Sequence, residues 1–428
     1  MASSSLAYFL DKATTLAYCR NMKSWSDNST ILPSNKYLDE SLSLLDSKSK
    51  IINSIGRLNK KIQIYVCGIT PYDSAHLGHA FTYLTFDLVI RTLRFIGKQT
   101  NYVQNITDID DPLFERARKT GVNWQSIVDS QLNIYRSDMS ALNILPPDHF
   151  VGVMENMELI ISRIGQSISN DLSYQIGSEW YFKTEPEKLS KLVSDVPNDE
   201  LLVMAKERGC DTDRPGKVNP LDPIIWKASK DDEPNWKEEF GTGRPGWHIQ
   251  CISLANEYAQ LPLDIQGGGK DLIFPHHSMS EEQNSALGFG ELALNYCHVG
   301  MVSYQGSKMS KSKGNLVFVH QLMAEGISPM VIRLILMQHH WTSDWEYKKE
   351  LVDISKSLYT ELSLKFKGKF ISQTDQDKII QIILNNLDVP KVLSFLKEIK
   401  PLTESSNNVS IDLLLETLLG LKLEDVAA

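Results

Sequence analysis

The chain has 428 residues, 42% of them hydrophobic and 23% charged, the balance of an ordinary globular protein long enough for two or three domains. A net charge of −9 excludes a protein that coats nucleic acid or anionic membrane without specificity, though not one with a local basic groove. Five cysteines (Cys19, Cys67, Cys210, Cys251 and Cys297) follow no disulfide spacing and fit a reducing compartment, with thiols used singly or on a metal.

In chain order, residues 1–60 are poorly patterned, rich in Ser, Asn and Lys around Ser24–Lys50, and read as a loosely held lead-in. Met1–Arg20 lacks the apolar run and cleavage site of a secretory signal, and no stretch of about eighteen apolar residues occurs, so a cytoplasmic protein without a membrane span is expected. Lys61–Val66 alternates and then turns apolar, as a strand entering a sheet does. Phe81, Leu84, Leu88, Leu93 and Phe95 predict a helix over Gly78–Gly97, with Gly97 as its stop, and Asn101–Gln104 is the next strand. Strand, helix and strand within about forty residues imply a parallel α/β sheet.

Residues 112–215 read as mostly helical and interrupt that sheet, and Arg208–Pro223 as a loop. Trp247–Tyr258 and Pro275–Leu287 are expected as helices, Pro262–Ile265 and Cys297–Val302 as strands, with Gly267–Gly269 ending the first of these strands. Everything from about Ser328 onward reads as helix.

His76-Leu77-Gly78-His79 sits where the first strand feeds a helix, so backbone N–H groups and a helix N-terminus face an anion beside two imidazoles. Alone, this sequence fits two surface histidines on a loop equally well. Lys308-Met309-Ser310-Lys311-Ser312, between Gly306 and Gly314, supplies two lysines on a Gly-flanked loop that suit a leaving pyrophosphate. Cys67 after the first strand, Cys251 on the Trp247–Tyr258 helix and His276 after Pro275 would suit Zn²⁺ with one tetrahedral position open. They are also compatible with two buried thiols and a helix-capping histidine.

Together the His-x-Gly-His and Lys-Met-Ser-Lys-Ser elements resemble the signatures of class I aminoacyl-tRNA synthetases. Cys67-Gly68-x-Thr70, Thr107-Asp108-Ile109-Asp110-Asp111, Gly243–Ile249, Gly267-Gly268-Gly269-x-Asp271 and Phe274–His277 are similar to cysteinyl-tRNA synthetase, over about residues 61–347. The resemblance implies a Rossmann-like, parallel-sheet nucleotide-binding catalytic domain over 61–327, interrupted at about 112–215, and a helical domain over 328–428. It also implies one zinc ion on Cys67, Cys251 and His276, which would take the substrate thiol as a thiolate and select cysteine over serine.

Cys67–Asp73 with Thr107–Leu113, the Glu207–Lys217 tract and His339–Trp345 resemble a shorter relative, the cysteine ligase family of mycothiol biosynthesis. Cys210 and Thr212 depart from its usual glycine and proline, and Gln250 stands where glutamate is common. Ser280 occupies the place at which synthetases carry a glutamate. From Lys349 onward there are ten lysines, twelve acidic residues, no arginine and no tryptophan, a composition poor in the groups that grip unpaired bases. Met22–Ser26 resembles the start of the ligase, so Met1–Asn21 reads as an extension or a misassigned start.

The resemblance implies ligation of L-cysteine to the amine of glucosaminyl-inositol through a cysteinyl-adenylate, with ATP as substrate and Mg²⁺ on its phosphates. The alternative is tRNA charging. His76, His79, Lys308 and Lys311 would stabilise the phosphate charge. Cys67, Gly68, Ile69, Thr70 and Trp247 would hold the amino acid. Thr82, Asn105, Ile106, Thr107, Gly269, Lys270, Asp271 and Val302 would surround the adenylate. A monomer acting on small molecules, with no nucleic-acid or membrane partner, is expected. No residue stands out in the sequence as a base for the amine.

Overall fold

A computed structural model describes residues 22–27, 29, 31–56, 61–185, 190–309, 314–404 and 408–425. Its centre is a five-stranded parallel sheet. The chain enters at β1 (Lys61–Val66), continues into helix α1 (Leu77–Phe95), and returns as β2 (Gln99–Ile106) and β3 (His149–Gly152). Helix α2 (Trp247–Tyr258) precedes β4 (Ile265–Gly269) and β5 (Tyr296–Val299). The spatial order is β5-β4-β1-β2-β3, with every neighbouring pair parallel. In β1 every residue but Lys61 is buried, as in a strand covered on both faces.

Chain direction across the sheet reverses between β1 and β4. Ligands of open α/β sheets bind at such a switch point, outside the carboxyl ends of the strands. Those ends here are Cys67 and Gly269.

The predicted β1, α1 and β2 are present. The Pro262–Ile265 strand is displaced: β4 runs from Ile265 through all three glycines. Close packing explains it, because a Cβ on Gly267 would lie 2.3 Å from Phe86 Cζ of α1. The stretch expected to be mostly helical, 112–215, contains helices Asp111–Thr120, Trp124–Ala141, Met157–Ser169 and Asn198–Glu207, but also β3 and the hairpin Ser173–Ile176/Glu179–Phe182. That hairpin belongs to an antiparallel five-stranded sheet completed by Ile224–Lys227, Gly241–Pro245 and Trp236–Glu238. Strands of three to five residues are too short to declare a period.

The later stretch read as all helix contains the strand Trp345–Tyr347, which pairs in parallel with Val302–Tyr304, and the short antiparallel pair Phe370–Ile371 and Val409–Ser410. The described part of the lead-in is docked rather than loose. Trp25 is buried and donates its indole N–H to Ile144 O at 2.7 Å, while buried Asp46 accepts the N–H of Tyr296 at 2.8 Å. A few anchoring side chains in a polar stretch suffice for that. The expected extension Met1–Asn21 lies outside the described residues.

Candidate active site

The turn from β1 into α1 builds the first wall. His76 is the N-cap of α1, and its Nδ1 accepts the Gly78 N–H at 3.0 Å. That assigns the ring proton to Nε2 and leaves an N–H free for a ligand. A side chain at position 78 would put its Cβ 2.9 Å from His76 Cε1, so any larger residue there would push the His76 ring aside. His79, one turn on, stacks against His76 with centroids 3.9 Å apart. Burial pushes the His79 imidazole down to about 4 and the His76 imidazole well below its ordinary value. Both rings are therefore neutral donors at pH 7.

The two distant signatures are joined by backbone. Leu77 N–H bonds Val317 O at 2.9 Å, Val319 N–H bonds Ala75 O at 3.3 Å, and His76 bridges Phe318. Lys308, on the strand Ser307–Lys308 before this segment, lies with its Nζ 3.0 Å from Asp271 Oδ2. Lys311 lies outside the described residues.

A cavity of about 200 Å³ opens at the switch point. Cys67, Gly68, Ile69, Thr70 and Trp247 line one end; His76, His79, Thr82, Gly269, Asp271, Val302 and Lys308 line the rest. Other proposed residues stand back from it. Asn105, Ile106 and Thr107 are buried behind the wall and fix its shape: Asn105 Oδ1 accepts the Gly68 N–H at 3.0 Å, and Thr107 N–H bonds Ile69 O at 3.0 Å. Gly68 is in turn obligatory, since a Cβ there would fall 1.5 Å from Asn105 O. Lys270 sits outside the cavity, its Nζ 2.9 Å from Asp344 Oδ2. Tyr72, Tyr83 and Met301 also line the cavity; Tyr72 belongs to the Cys67–Asp73 motif, whereas Tyr83 and Met301 belong to none.

At the inner end Cys67, Cys251 and His276 converge, all buried, their candidate ligand atoms within 4.8 Å of one another. They come from the end of β1, the first turns of α2 and the segment after β4. Contact with Cys251, and then burial, raise the Cys67 thiol well above its ordinary value. His276 Nε2 has no hydrogen-bond partner, and burial keeps the ring neutral. Two contacting thiols beside an unpartnered imidazole nitrogen form a donor set that fits a soft divalent metal.

A surrounding shell orients them. His248 Nδ1 lies 3.0 Å from His276 Nδ1, and Trp247 stacks on His276 with centroids 4.1 Å apart. His277 Nε2 lies 3.2 Å from Cys67 Sγ, and its Nδ1 lies 2.7 Å from His298 Nε2. Such outer partners fix ring orientation and ligand basicity. Gln250 donates to Pro245 O at 3.3 Å and is not one of the three convergent residues. Ser280 has an unpartnered hydroxyl in a small cavity shared with Tyr65, Cys251 and His276.

Residues 55–357 match the family of class I (C) tRNA synthetase catalytic domains. The chain is 45% identical over 311 residues to an L-cysteine:1D-myo-inositol 2-amino-2-deoxy-alpha-D-glucopyranoside ligase of Acidothermus cellulolyticus, covering 73% of this chain and 77% of that one. It is 40% identical over 392 residues to the ligase of the same name from Renibacterium salmoninarum, covering 87% of this chain and 92% of the other. Among solved structures, a Mycobacterium tuberculosis methionyl-tRNA synthetase with methionyl-adenylate matches with a TM-score of 0.54 at 15% identity, over 79% of this chain and 82% of that one. At that identity the likeness is one of fold.

Proposed function

The chain belongs to the family of class I (C) tRNA synthetase catalytic domains and is an ATP-dependent ligase; on that premise we propose that it joins L-cysteine to the amine of glucosaminyl-inositol through a cysteinyl-adenylate. The observation that carries this reading is that Cys67, His76, His79, Val302 and Lys308 line one cavity. A thiol end, a turn of neutral imidazoles and a wall suited to a nucleotide, all within one small molecule's reach, support the reading.

Cys67, Cys251 and His276 would hold a zinc ion, which when bound supplies a Lewis acid for a thiolate. Thr70 and Trp247 enclose the remainder of the amino acid and exclude water from it. The cysteine carboxylate attacks the α-phosphorus of ATP, and pyrophosphate leaves. Neutral His76 and His79 donate N–H groups to the charge developing on the α-phosphate. Lys308 leaves Asp271 for the leaving pyrophosphate, joined by Lys311. Thr82, Gly269, Asp271 and Val302 form the wall for ribose and adenine. The sugar amine then attacks the acyl carbon, and AMP departs.

Charging of tRNA is the activity for which the family is named, and the arginine-free, tryptophan-free composition from Lys349 onward speaks against it. The test supplies labelled cysteine and ATP with both acceptors side by side. The expected product is a cysteinyl amide of the amino sugar, with AMP and pyrophosphate released in equal amounts. Label recovered on tRNA in place of the sugar would overturn the reading.

A further inference from the structure

The second half-reaction needs a base, because an amino-sugar nitrogen arrives at neutral pH as an ammonium and must lose a proton before it can attack. The carboxylates on the segments that build the cavity differ in their partners. Asp73 pairs with Arg116 at 3.5 Å, Asp271 with Lys308 at 3.0 Å, and Asp111 takes both Lys227 and Arg244. Neither Asp108 nor Asp110 has an ion pair among the described residues, but Asp108 turns away from Thr70, one oxygen taking the Met154 N–H at 3.0 Å and the other lying against Gly152. One Asp110 oxygen accepts the Asp111 N–H at 2.9 Å as the N-cap of helix Asp111–Thr120, and the other faces the hydroxyl of Thr70 at 3.5 Å. Thr70 and its neighbour Tyr72 both line the cavity. Asp110 is not itself on the cavity wall; it stands one contact behind Thr70, where, without an ion pair, it retains capacity for a cation.

Building on the ligase reading above, we propose that Asp110 receives the acceptor's ammonium and takes its proton before the nitrogen attacks. The proton moves from nitrogen to the Asp110 carboxylate, and the nitrogen lone pair forms the C–N bond. The acyl C–O bond to the phosphate breaks, and the second nitrogen proton leaves with AMP. The surroundings suit the task. Burial and then the Asp111 carboxylate push the Asp110 carboxyl up to about 6, against the Asp111 N–H, Arg244 and Lys227. Thr70 and Tyr72 face it from the cavity wall. A base of that strength is ionised at pH 7 yet basic enough to accept a proton.

The test is Asp110→Asn, which retains the N-cap because Asn caps as well as Asp. Cysteine-dependent ATP–pyrophosphate exchange reports the first half-reaction, and single-turnover transfer from preformed adenylate to glucosaminyl-inositol reports the second, each across pH 6–9. Transfer at pH 7 is expected to fall about 100-fold, at least tenfold more than any fall in exchange, and to recover as pH rises and free amine forms unaided. Asp110→Glu should restore part of the transfer rate. An equal loss in both assays, as a contact to cysteine's own ammonium or a structural role would give, overturns the proposal. So does unchanged transfer by the variant. Wild-type protein that exchanges but does not transfer to the amino sugar would instead sink the acceptor reading, and the role of Asp110 with it.

Discussion

The Arg333 guanidinium lies against the Asp87 carboxylate with both side chains fully buried, and Arg91 holds the carboxylate's other side at 2.9 Å. Two cations face one anion, and backbone carbonyls make up the difference. Arg333 donates to Leu419 O at 2.6 Å and Leu142 O at 2.7 Å, and Arg91 to Asn143 O at 2.7 Å. Leu419 ends the helix Ile411–Leu419, whose C-terminal dipole is negative. The junction therefore fastens α1, which carries His79, to the helices after Ser328. Asp87→Ala leaves two buried guanidiniums without their anion and should cost about 3–5 kcal/mol. Urea unfolding would show it as a lowered midpoint, and an unchanged midpoint would show that the carbonyls alone suffice.

Such a junction could not be read from the sequence, because Asp87, Arg91 and Arg333 follow no spacing that distinguishes them from surface charges. The α1 stripe was legible, since Phe81, Leu84, Leu88 and Phe95 repeat at helical spacing and are all buried. So was β1, a buried run that ends at Cys67. β3 was not: His149–Gly152 follows two prolines and is four residues long. Within the site, motif residues on turns were easier to find than to assign. Asn105 and Thr107 belong to the same motif neighbourhood as the cavity residues, yet they act on the backbone of Gly68 and Ile69 from behind. Lys270 sits one residue from Asp271, and the tight turn after Gly269 sends the two side chains to different partners.

The Lys308–Asp271 pair is exposed, at 53% and 36% of its side chains, so it is weak and exchangeable. Lys308→Ala should leave thermal stability unchanged while slowing cysteine-dependent ATP–pyrophosphate exchange by about 100-fold through kcat, the size expected for loss of one charge-stabilising group. An effect confined to KM for ATP would mean that Lys308 binds the ground state and no more.

Cys251→Ala removes one of two contacting thiols without disturbing Cys67 or His276. The folded protein should bind zinc far more weakly, seen as earlier release to a competing chelator, and exchange should fall with metal content. Cobalt substitution gives an independent readout: the thiolate charge-transfer band should weaken in the variant. Full exchange by metal-depleted Cys251→Ala would sever the link between these three residues and cysteine activation.

The imidazoles at the α1 turn set a pH dependence whose sign follows from their environment. Burial lowers His79 from its ordinary 6.5 to about 4, with Asp271 opposing and Lys308 assisting. Below about pH 6.5 the unfolded chain takes up a proton that the folded protein refuses. Stability from this group is therefore present above 6.5 and lost as pH falls toward 4. The Tm should decline across that window, and His79→Gln should flatten part of the decline. Exchange should show no inflection at 6.5 from this residue, because the donor that serves the α-phosphate is already the neutral ring. An inflection at 6.5 that disappears in His79→Gln would show instead that the imidazolium is the working form.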